Sequence, residues 1–545
     1  MKIALCQINP IIGDIEGNKE KILSGYQKGI EDKVDLVIFP ELALIGYSPQ
    51  DLVEKKEFRD AVIKASNEIA EFTTDVGLIF GAITEDEDNV GTNIFNSALL
   101  CYKGKIRLTQ NKTLIPNYDV FDEIRYFESA KDTSLHHFKG EVLGISICED
   151  IWNDKDYWKK RLYQHDPVEK LVKQGATLLI NISASPYSYG KRFARKEMLS
   201  TLTKEDALPL VYCCLVGAQT ELIFDGASMC FNDKGELKQL GKKYEEDYLI
   251  FDTSEDYSTV ENVEASFEEE VYSALVLGVK DYCKKLNFKK VLIGLSGGID
   301  SALVTAIAVE ALGKENVEVV LLPSKYSSEG SVNDSLKLIS NLGISHKVIP
   351  IQEVVDNLIE LLAPSFEGKN HDTTEENLQS RSRGIILMAI ANKHGHLLLT
   401  TGNKSEMAVG YATLYGDMCG GLGVIADVYK TDVYRLAEFI NRDKEIIPQE
   451  IIEKAPSAEL KPNQTDQDTL PPYDLLDSIL RMYLENNKEF NEISQTIGDS
   501  GIVGKVLRMV DFNEFKRRQA APALRISNKA FGYGRRYPIV QGWRK

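Results

Sequence analysis

Two sets of residues in this 545-residue chain combine types that do chemistry together. In the first half a carboxylate, an ammonium and a thiol stand far apart: Glu41 after Phe39-Pro40, Lys112 in Asn111-Lys112-Thr113, and Cys148 opening Cys148-Glu149-Asp150-Ile151-Trp152. As a set they suit attack on an amide. A thiolate adds to the carbon, a carboxylate takes and returns the proton, and an ammonium steadies the developing oxyanion. A nearby lysine is also expected to lower the thiol pKa. Taken singly, each residue has a plain alternative: a core cysteine, a solvated lysine, a helix-capping glutamate.

In the second half the run Gly294-Leu295-Ser296-Gly297-Gly298-Ile299-Asp300-Ser301 lies between an apolar strand and a helix. Small residues let the backbone wrap an anion, and a helix N-terminus aims unsatisfied N–H groups and a positive dipole end at it. Ser296 and Ser301 add hydroxyls. Asp300 is unsuited to direct phosphate contact but suits a magnesium ion that shields phosphates. The loop is neither GxxxxGK[ST] nor GxGxxG. A second cluster, Thr400-Thr401-Gly402-Asn403-Lys404-Ser405-Glu406, follows another apolar strand and leads to Gly410–Asp417. On its own it reads equally as a capped helix start.

The elements that must position these residues follow from hydrophobic spacing. The first half alternates apolar runs (Lys2–Ile8, Asp35–Phe39, Gly77–Ala82, Val142–Ile147, Ala176–Ile182) with helical spacing at Phe58–Phe72 and Pro167–Gln174. This is the pattern of a layered α/β domain, with reactive groups at strand ends. The acidic, unpatterned stretch Asp252–Glu264 marks a boundary. The expected division is a domain over 1–255, a linker over 256–266 and a second domain over 267–545. A helix then carries Phe267, Val271, Leu275, Val279, Cys283 and Leu286 near one face. Beyond it, strands Val291–Leu295, Val317–Leu322, Lys347–Ile351 and Leu397–Thr400 alternate with helices Ser301–Leu312, Ser331–Leu342, Val354–Leu362 and Thr374–Lys393. Helix-closing Gly313 and Gly343 support a doubly wound parallel sheet. The polar stretches Glu367–Thr374 and Ala458–Pro472 are expected to be active-site loops.

Composition narrows the class. With 43% hydrophobic and 27% charged residues the chain is an ordinary globular protein, and each half can bury a core without staples. No apolar run reaches membrane length, so no membrane partner is expected. The eight cysteines form no CxxC pair, which disfavours a disulfide scaffold or zinc ribbon and points to the cytoplasm. His394 and His396 lack the companions of a metal cluster. A net charge of −18 disfavours nucleic acid as a partner. The stretch Lys505–Lys545 nevertheless holds eleven Lys and Arg against two acidic residues, which reads as a solvated surface or a local pocket for a multiply charged anion.

The loop at 294–301 resembles the SGGxDS loop of the PP-loop ATPases, which cleave ATP between the α and β phosphates and adenylate a substrate. With the Thr400–Glu406 cluster, residues 267–545 resemble the NAD synthetase family. That resemblance implies ATP contacts at Gly294 through Ser301, Thr401, Lys430 and Ser457. It implies deamido-NAD contacts at Asn377, Arg381, Glu406 and Lys516, and Mg2+ at Asp300 and Glu406. The contexts of Glu41, Lys112 and Cys148 resemble the carbon–nitrogen hydrolase (nitrilase) family over about residues 1–250. There the resemblance implies an αββα sandwich with this catalytic triad, and glutamine contacts at Tyr118, Glu123, Ser185 and Lys191. Joined, the two halves imply glutamine hydrolysis feeding ammonia through the protein to ATP-dependent amidation of deamido-NAD. They also imply a homo-oligomer, because that synthetase family builds its nucleotide sites across a dimer. Other PP-loop chemistries (GMP, asparagine or argininosuccinate synthesis, tRNA thiolation) and a non-catalytic nucleotide sensor are the competing readings.

Overall fold

A computed structural model of the chain describes residues 1–86, 91–261 and 265–543. It divides into two compact units, Met1–Ala265 and Ser266–Lys545. Of the expected linker, residues 262–264 lie outside the described residues.

The first unit contains two six-stranded sheets. One runs β14-β1-β2-β3-β4-β5 and the other β13-β12-β9-β8-β7-β6, with a separate β10-β11 hairpin. The strands of the first sheet are β1 (Lys2–Gln7), β2 (Leu36–Ile38), β3 (Gly77–Glu85), β4 (Ile94–Tyr102), β5 (Lys105–Asn111) and β14 (Asp247–Asp252). Those of the second are β6 (Leu135–Phe138), β7 (Glu141–Ile147), β8 (Leu178–Ser183), β9 (Leu210–Cys214), β12 (Met229–Phe231) and β13 (Leu237–Leu240), and the hairpin is Val216–Gln219 with Leu222–Asp225.

Alternation along each strand builds the layers. Ile3 and Leu5 of β1 enter a core shared with Ile145, Ile147, Ile180 and Ile182 of the other sheet. Ala4 and Cys6 face the opposite way, into a core with Ile22 and Tyr26 of α1 (Ile15–Glu31) and Val62 and Ile69 of α2 (Lys56–Glu71). On the outer face of the second sheet, Leu179, Leu210 and Tyr212 pack with Leu171 of α3 (Pro167–Gln174) and Met198 and Leu202 of α4 (Lys191–Asp206). Two sheets whose strands are apolar on both faces require helices outside both, which gives the αββα sandwich.

The second unit opens with α5 (Phe267–Lys285). Its sheet is wholly parallel, in the order β17-β16-β15-β18-β19, with β15 (Val291–Gly294), β16 (Val317–Leu321), β17 (Ser345–Val348), β18 (Leu397–Thr400) and β19 (Leu422–Gly423). The order reverses at β15, so a crevice opens outside the strand ends between β15 and β18. The loop after Gly294 and the turn after Thr400 flank that crevice. Helix α6 (Ile299–Leu312) leaves β15 and is buried nearly all round, which accounts for its unbroken apolar sequence. The remaining helices used below are α7 (Glu329–Leu342), α8 (Gln352–Leu362), α9 (Thr373–His394), α10 (Lys404–Val409) and α11 (Lys430–Ile440).

Several boundaries differ from the spacing-based reading. Helix α6 begins two residues earlier, at Ile299, which places Asp300 and Ser301 in its first turn. Strand β17 ends at Val348 rather than Ile351, although the Ile349 and Ile351 N–H groups still donate to the Leu321 and Pro323 carbonyls at 2.9 and 3.0 Å. Leu286 is not on the buried face of α5 but at its C-cap, 53% exposed. All eight cysteines are free, and among the described residues no helix is long and apolar enough to cross a membrane.

Candidate active sites

In the first unit the ends of three strands converge. Glu41 follows β2, and its backbone crosses β3 so closely that a Cβ on Gly81 would lie 2.1 Å from the nitrogen of Leu42. Gly81 is therefore what lets Glu41 reach its place. Lys112 directly follows β5, its N–H bonded to the Asn96 carbonyl at 2.8 Å. Cys148 directly follows β7 with φ 44°, in the left-handed region, and opens a short 3-10 turn.

All three side chains are buried. The Lys112 ammonium donates to Glu41 Oε1 at 2.8 Å and to both oxygens of Glu123 at 2.9 Å. Glu41 also accepts from Asn96 Nδ2 at 2.7 Å and, on Oε2, from the Ala184 N–H at 2.7 Å. Glu123, expected only as a glutamine contact, is thus a member of the charged core itself, held further by the Tyr47 hydroxyl at 2.8 Å.

Burial and then the Glu41 charge push the Cys148 thiol well above its usual range, and Lys112 pulls it down without prevailing. This corrects the expectation of a lowered thiol pKa: the resting group is the thiol, and a base must take its proton. Burial works against the Lys112 charge, but Glu123 and Glu41 outweigh it and hold the ammonium firmly protonated. Burial raises Glu123 to about 6, with Lys112 opposing and Glu41 adding to the rise.

Around this core, the hydroxyls of Tyr118 and Tyr163 both donate to Glu149 Oε1, at 2.8 and 3.0 Å. Ser185 is buried in the turn after β8. Lys191 begins α4, its ammonium 3.1 Å from the Pro186 carbonyl and 5.3 Å from the Trp152 ring centroid. Glu149, Asn96 and Tyr163 were not singled out from sequence. Glu149 alone had a local signal, its place beside Cys148.

In the second unit a cavity of about 580 Å³ fills the crevice. Gly294, Leu295, Ser296, Gly298, Ile299, Asp300 and Ser301 line it, as do Thr401, Glu406, Lys430, Ser457, Asn377 and Lys516. Gly297 does not; it has φ 79°, and a Cβ there would stand 2.3 Å from the Ser331 carbonyl oxygen, so glycine lets the loop lie against α7. Ser296 and Ser301 share a hydroxyl contact at 3.1 Å, and the Gly298 N–H donates to Ser296 Oγ at 3.2 Å, which pre-forms the loop. Ser457 donates to the Gln464 carbonyl at 2.6 Å.

Arg381 is not among the lining residues; its Nε donates to the Leu414 carbonyl at 3.2 Å. Both expected loops contribute to the wall: Thr373 from the first, and Glu459, Gln464 and Asp466 from the second. In the basic tail, Lys516 donates to the Gly410 and Ala412 carbonyls at 2.7 and 2.9 Å. Arg517 donates to the Met407 and Ala408 carbonyls at the C-terminal end of α10. Part of the tail's charge therefore caps a helix rather than facing an anion.

The Lys430 ammonium pairs closely with Asp300 Oδ2 and lies 3.7 Å from Glu406 Oε1. Asn403 Nδ2 holds Asp300 Oδ1 at 2.9 Å. Burial and then the Asp300 charge raise Glu406 to about 8, with Asp466 adding to the rise. Burial opposes the Lys430 charge, yet Asp300 and Glu406 keep its pKa above the ordinary lysine range. Carboxylates gathered this closely offer hard oxygen donors of the kind a magnesium ion takes. Asp466 and Asp417, which accepts from the Thr413 N–H at 2.7 Å, join the site from outside the sequence-derived set. His394 and His396 stack at 5.6 Å, and no cluster of three or more metal-binding side chains occurs among the described residues.

The two units define a class: a nitrilase-type sandwich with a Glu–Lys–Cys site, joined to a parallel-sheet nucleotide-binding unit. The carbon-nitrogen hydrolase family model matches residues 2–260, and the NAD synthase model matches residues 271–520. The glutamine-dependent NAD(+) synthetase of Synechocystis is 46% identical over 99% of each chain, and that of Thermotoga maritima is 42% identical over 100% of this chain and 99% of its own. A solved structure of the glutamine-dependent NAD+ synthetase from Acinetobacter baumannii in complex with adenosine diphosphate is 39% identical, with 99% of each chain covered and a TM-score of 0.78. The chain belongs to the glutamine-dependent NAD(+) synthetase family.

Proposed function

We propose that this protein makes NAD+ from deamido-NAD+, with glutamine as nitrogen donor and ATP as activator. The observation that carries the reading is the Lys112 ammonium shared between two buried carboxylates next to Cys148, in a chain whose second unit presents a strand-end anion loop. Glu41 takes the thiol proton as Cys148 attacks the glutamine amide carbon, and Lys112 faces the developing oxyanion. Glu41 then protonates the leaving ammonia and activates the water that releases glutamate. Tyr118, Glu123, Ser185 and Lys191 hold glutamine, with Glu123 also fixing Lys112.

In the synthetase unit the loop from Gly294 to Ser301, with Thr401, Lys430 and Ser457, holds ATP. Asn377, Arg381, Glu406 and Lys516 hold deamido-NAD+. Asp300 and Glu406 are the residues to hold Mg2+, which when bound neutralises phosphate charge. The nicotinate carboxylate attacks the α phosphate and expels pyrophosphate. Ammonia then displaces AMP and leaves the amide. Adenylation is needed because a carboxylate is a poor electrophile, and free ammonium at neutral pH supplies little nucleophile, which favours passage of ammonia inside the protein. The reading includes a cytoplasmic homo-oligomer with dimerised synthetase units, as the family's nucleotide sites require.

The test is NAD+ formation by wild type and Cys148→Ala with glutamine or ammonium as donor. The variant is expected to lose glutamine-driven synthesis by at least about 10³-fold and keep ammonium-driven synthesis, with AMP and pyrophosphate as co-products. No NAD+ from either donor with folded wild type would sink the substrate assignment.

A further inference from the structure

One buried carboxylate ties together the two loops that carry Cys148 and Lys112. Asp150 is 2% exposed. Its Oδ1 accepts the N–H groups of Thr113 at 2.9 Å and Leu114 at 2.7 Å, and its Oδ2 accepts the N–H of Ile147 at 3.0 Å. Thr113 and Leu114 directly follow Lys112, and Ile147 directly precedes Cys148. The three residues flank the two reacting groups and come from different strand ends, so the clamp spans a gap that neither strand closes by itself. Cys148 also holds a left-handed φ of 44°, a conformation that persists only where surrounding contacts over-determine it.

We propose that Asp150 is a positioning residue for glutamine hydrolysis, setting the separation of the Cys148 sulfur and the Lys112 ammonium by pinning the peptide groups beside each. The inference rests on the glutaminase reading above. A carboxylate is the required chemistry because both of its oxygens accept, and three N–H groups point at them. Asparagine has nearly the same shape but only one accepting oxygen; its amide nitrogen would meet an N–H donor and release one of the two loops.

The experiment uses full-length Asp150→Asn. Glutamate release from glutamine is expected to fall about 10–100-fold in kcat, the loss that a misplacement of about 1 Å brings, while KM moves less than about threefold. Competent sites are counted by covalent titration with a diazoketone analogue of glutamine. A folding loss then lowers the number of sites and leaves kcat per site alone, so instability does not mimic the effect. The second readout is the rate of Cys148 alkylation by iodoacetamide, with Cys148→Ala as background, in wild type, Asp150→Asn, Lys112→Met and the double variant. If Asp150 acts through the placement of Lys112, its substitution changes alkylation clearly in the wild-type background and by less than about twofold beside Lys112→Met. An equal change in both backgrounds, or kcat per site within about twofold of wild type, overturns the proposal. Absence of glutamate release by wild type would instead overturn the glutaminase reading.

Discussion

At the residue scale, the chemistry proposed for the first unit turns on a lysine whose pKa two carboxylates hold well above its usual range. Lys112 lies between Glu41 and Glu123, with no exposed surface of its own. A single buried ammonium against two carboxylates leaves excess negative charge, and burial, with the Glu41 charge adding to it against Lys112, raises Glu123 to about 6. Below that value Glu123 takes up a proton and its grip on Lys112 weakens; above it the pair is charged. Glutaminase kcat should therefore rise with pH through about 6. Glu123→Gln should remove that acid limb and lower the plateau by about 10²-fold, since the ammonium loses one of its two anchors, while ammonium-driven synthesis stays unchanged. A pH–rate profile of glutamate release checks both; an unchanged limb would show that another group titrates there.

At the element scale, strand ends and helix ends do most of the placing. Gly81 lets the Glu41 backbone cross β3, and Gly297 lets the phosphate loop lie on α7. Helix α4 has a less favourable terminus. Its last residue, Asp206, puts a carboxylate at the negative end of the helix dipole. Burial, then the charge of Asp154, raises Asp206 from the usual 3.8 to about 6. An acid whose folded pKa is raised binds its proton more tightly in the folded state. It therefore costs stability as pH rises from 3.8 through 6, and the full cost is present above that window. Asp206→Asn should accordingly raise the melting temperature of the first unit at about pH 8 and leave it nearly unchanged at about pH 4, as read by calorimetry. An equal gain at both pH values would trace the effect to packing.

At the scale of the whole molecule, two chemistries are separately addressable along one chain. The Cys148 site belongs wholly to the unit ending at Ala265, and the cavity holding Asp300 wholly to the unit beginning at Ser266. Asp300→Asn weakens the carboxylate set that suits magnesium and the pairing with Lys430. NAD+ formation should drop by at least about 10²-fold with glutamine and with ammonium alike, while glutamine is still hydrolysed. Parallel assays of NAD+ and glutamate distinguish this from Cys148→Ala, which should separate the two donors instead.

Local order was legible where it is set by neighbours in sequence. The phosphate loop, the helix-closing glycines and the apolar runs of β1, β7, β8 and β18 could be read directly, because φ freedom, capping and burial on both faces leave marks within a few residues. The αββα layering and the two catalytic sets came through resemblance. The contacts that decide the chemistry were not legible. Glu123 meets Lys112 from eleven positions away, and Glu41 from seventy-one. Asp150 and Asp466 look like ordinary surface acids until folding buries them, and Asp417 until folding sets it in the cavity wall. Arg517 looks available for an anion until the structure ties it to backbone carbonyls. The sign of the Cys148 shift also required three dimensions: lysine proximity and burial pull in opposite directions, and only the packed site reveals which prevails. By itself the sequence determined which residue types stand at the strand ends. The tertiary structure decided which of them share a proton, since desolvation and charge pairing depend on distances through space that no spacing along the chain encodes.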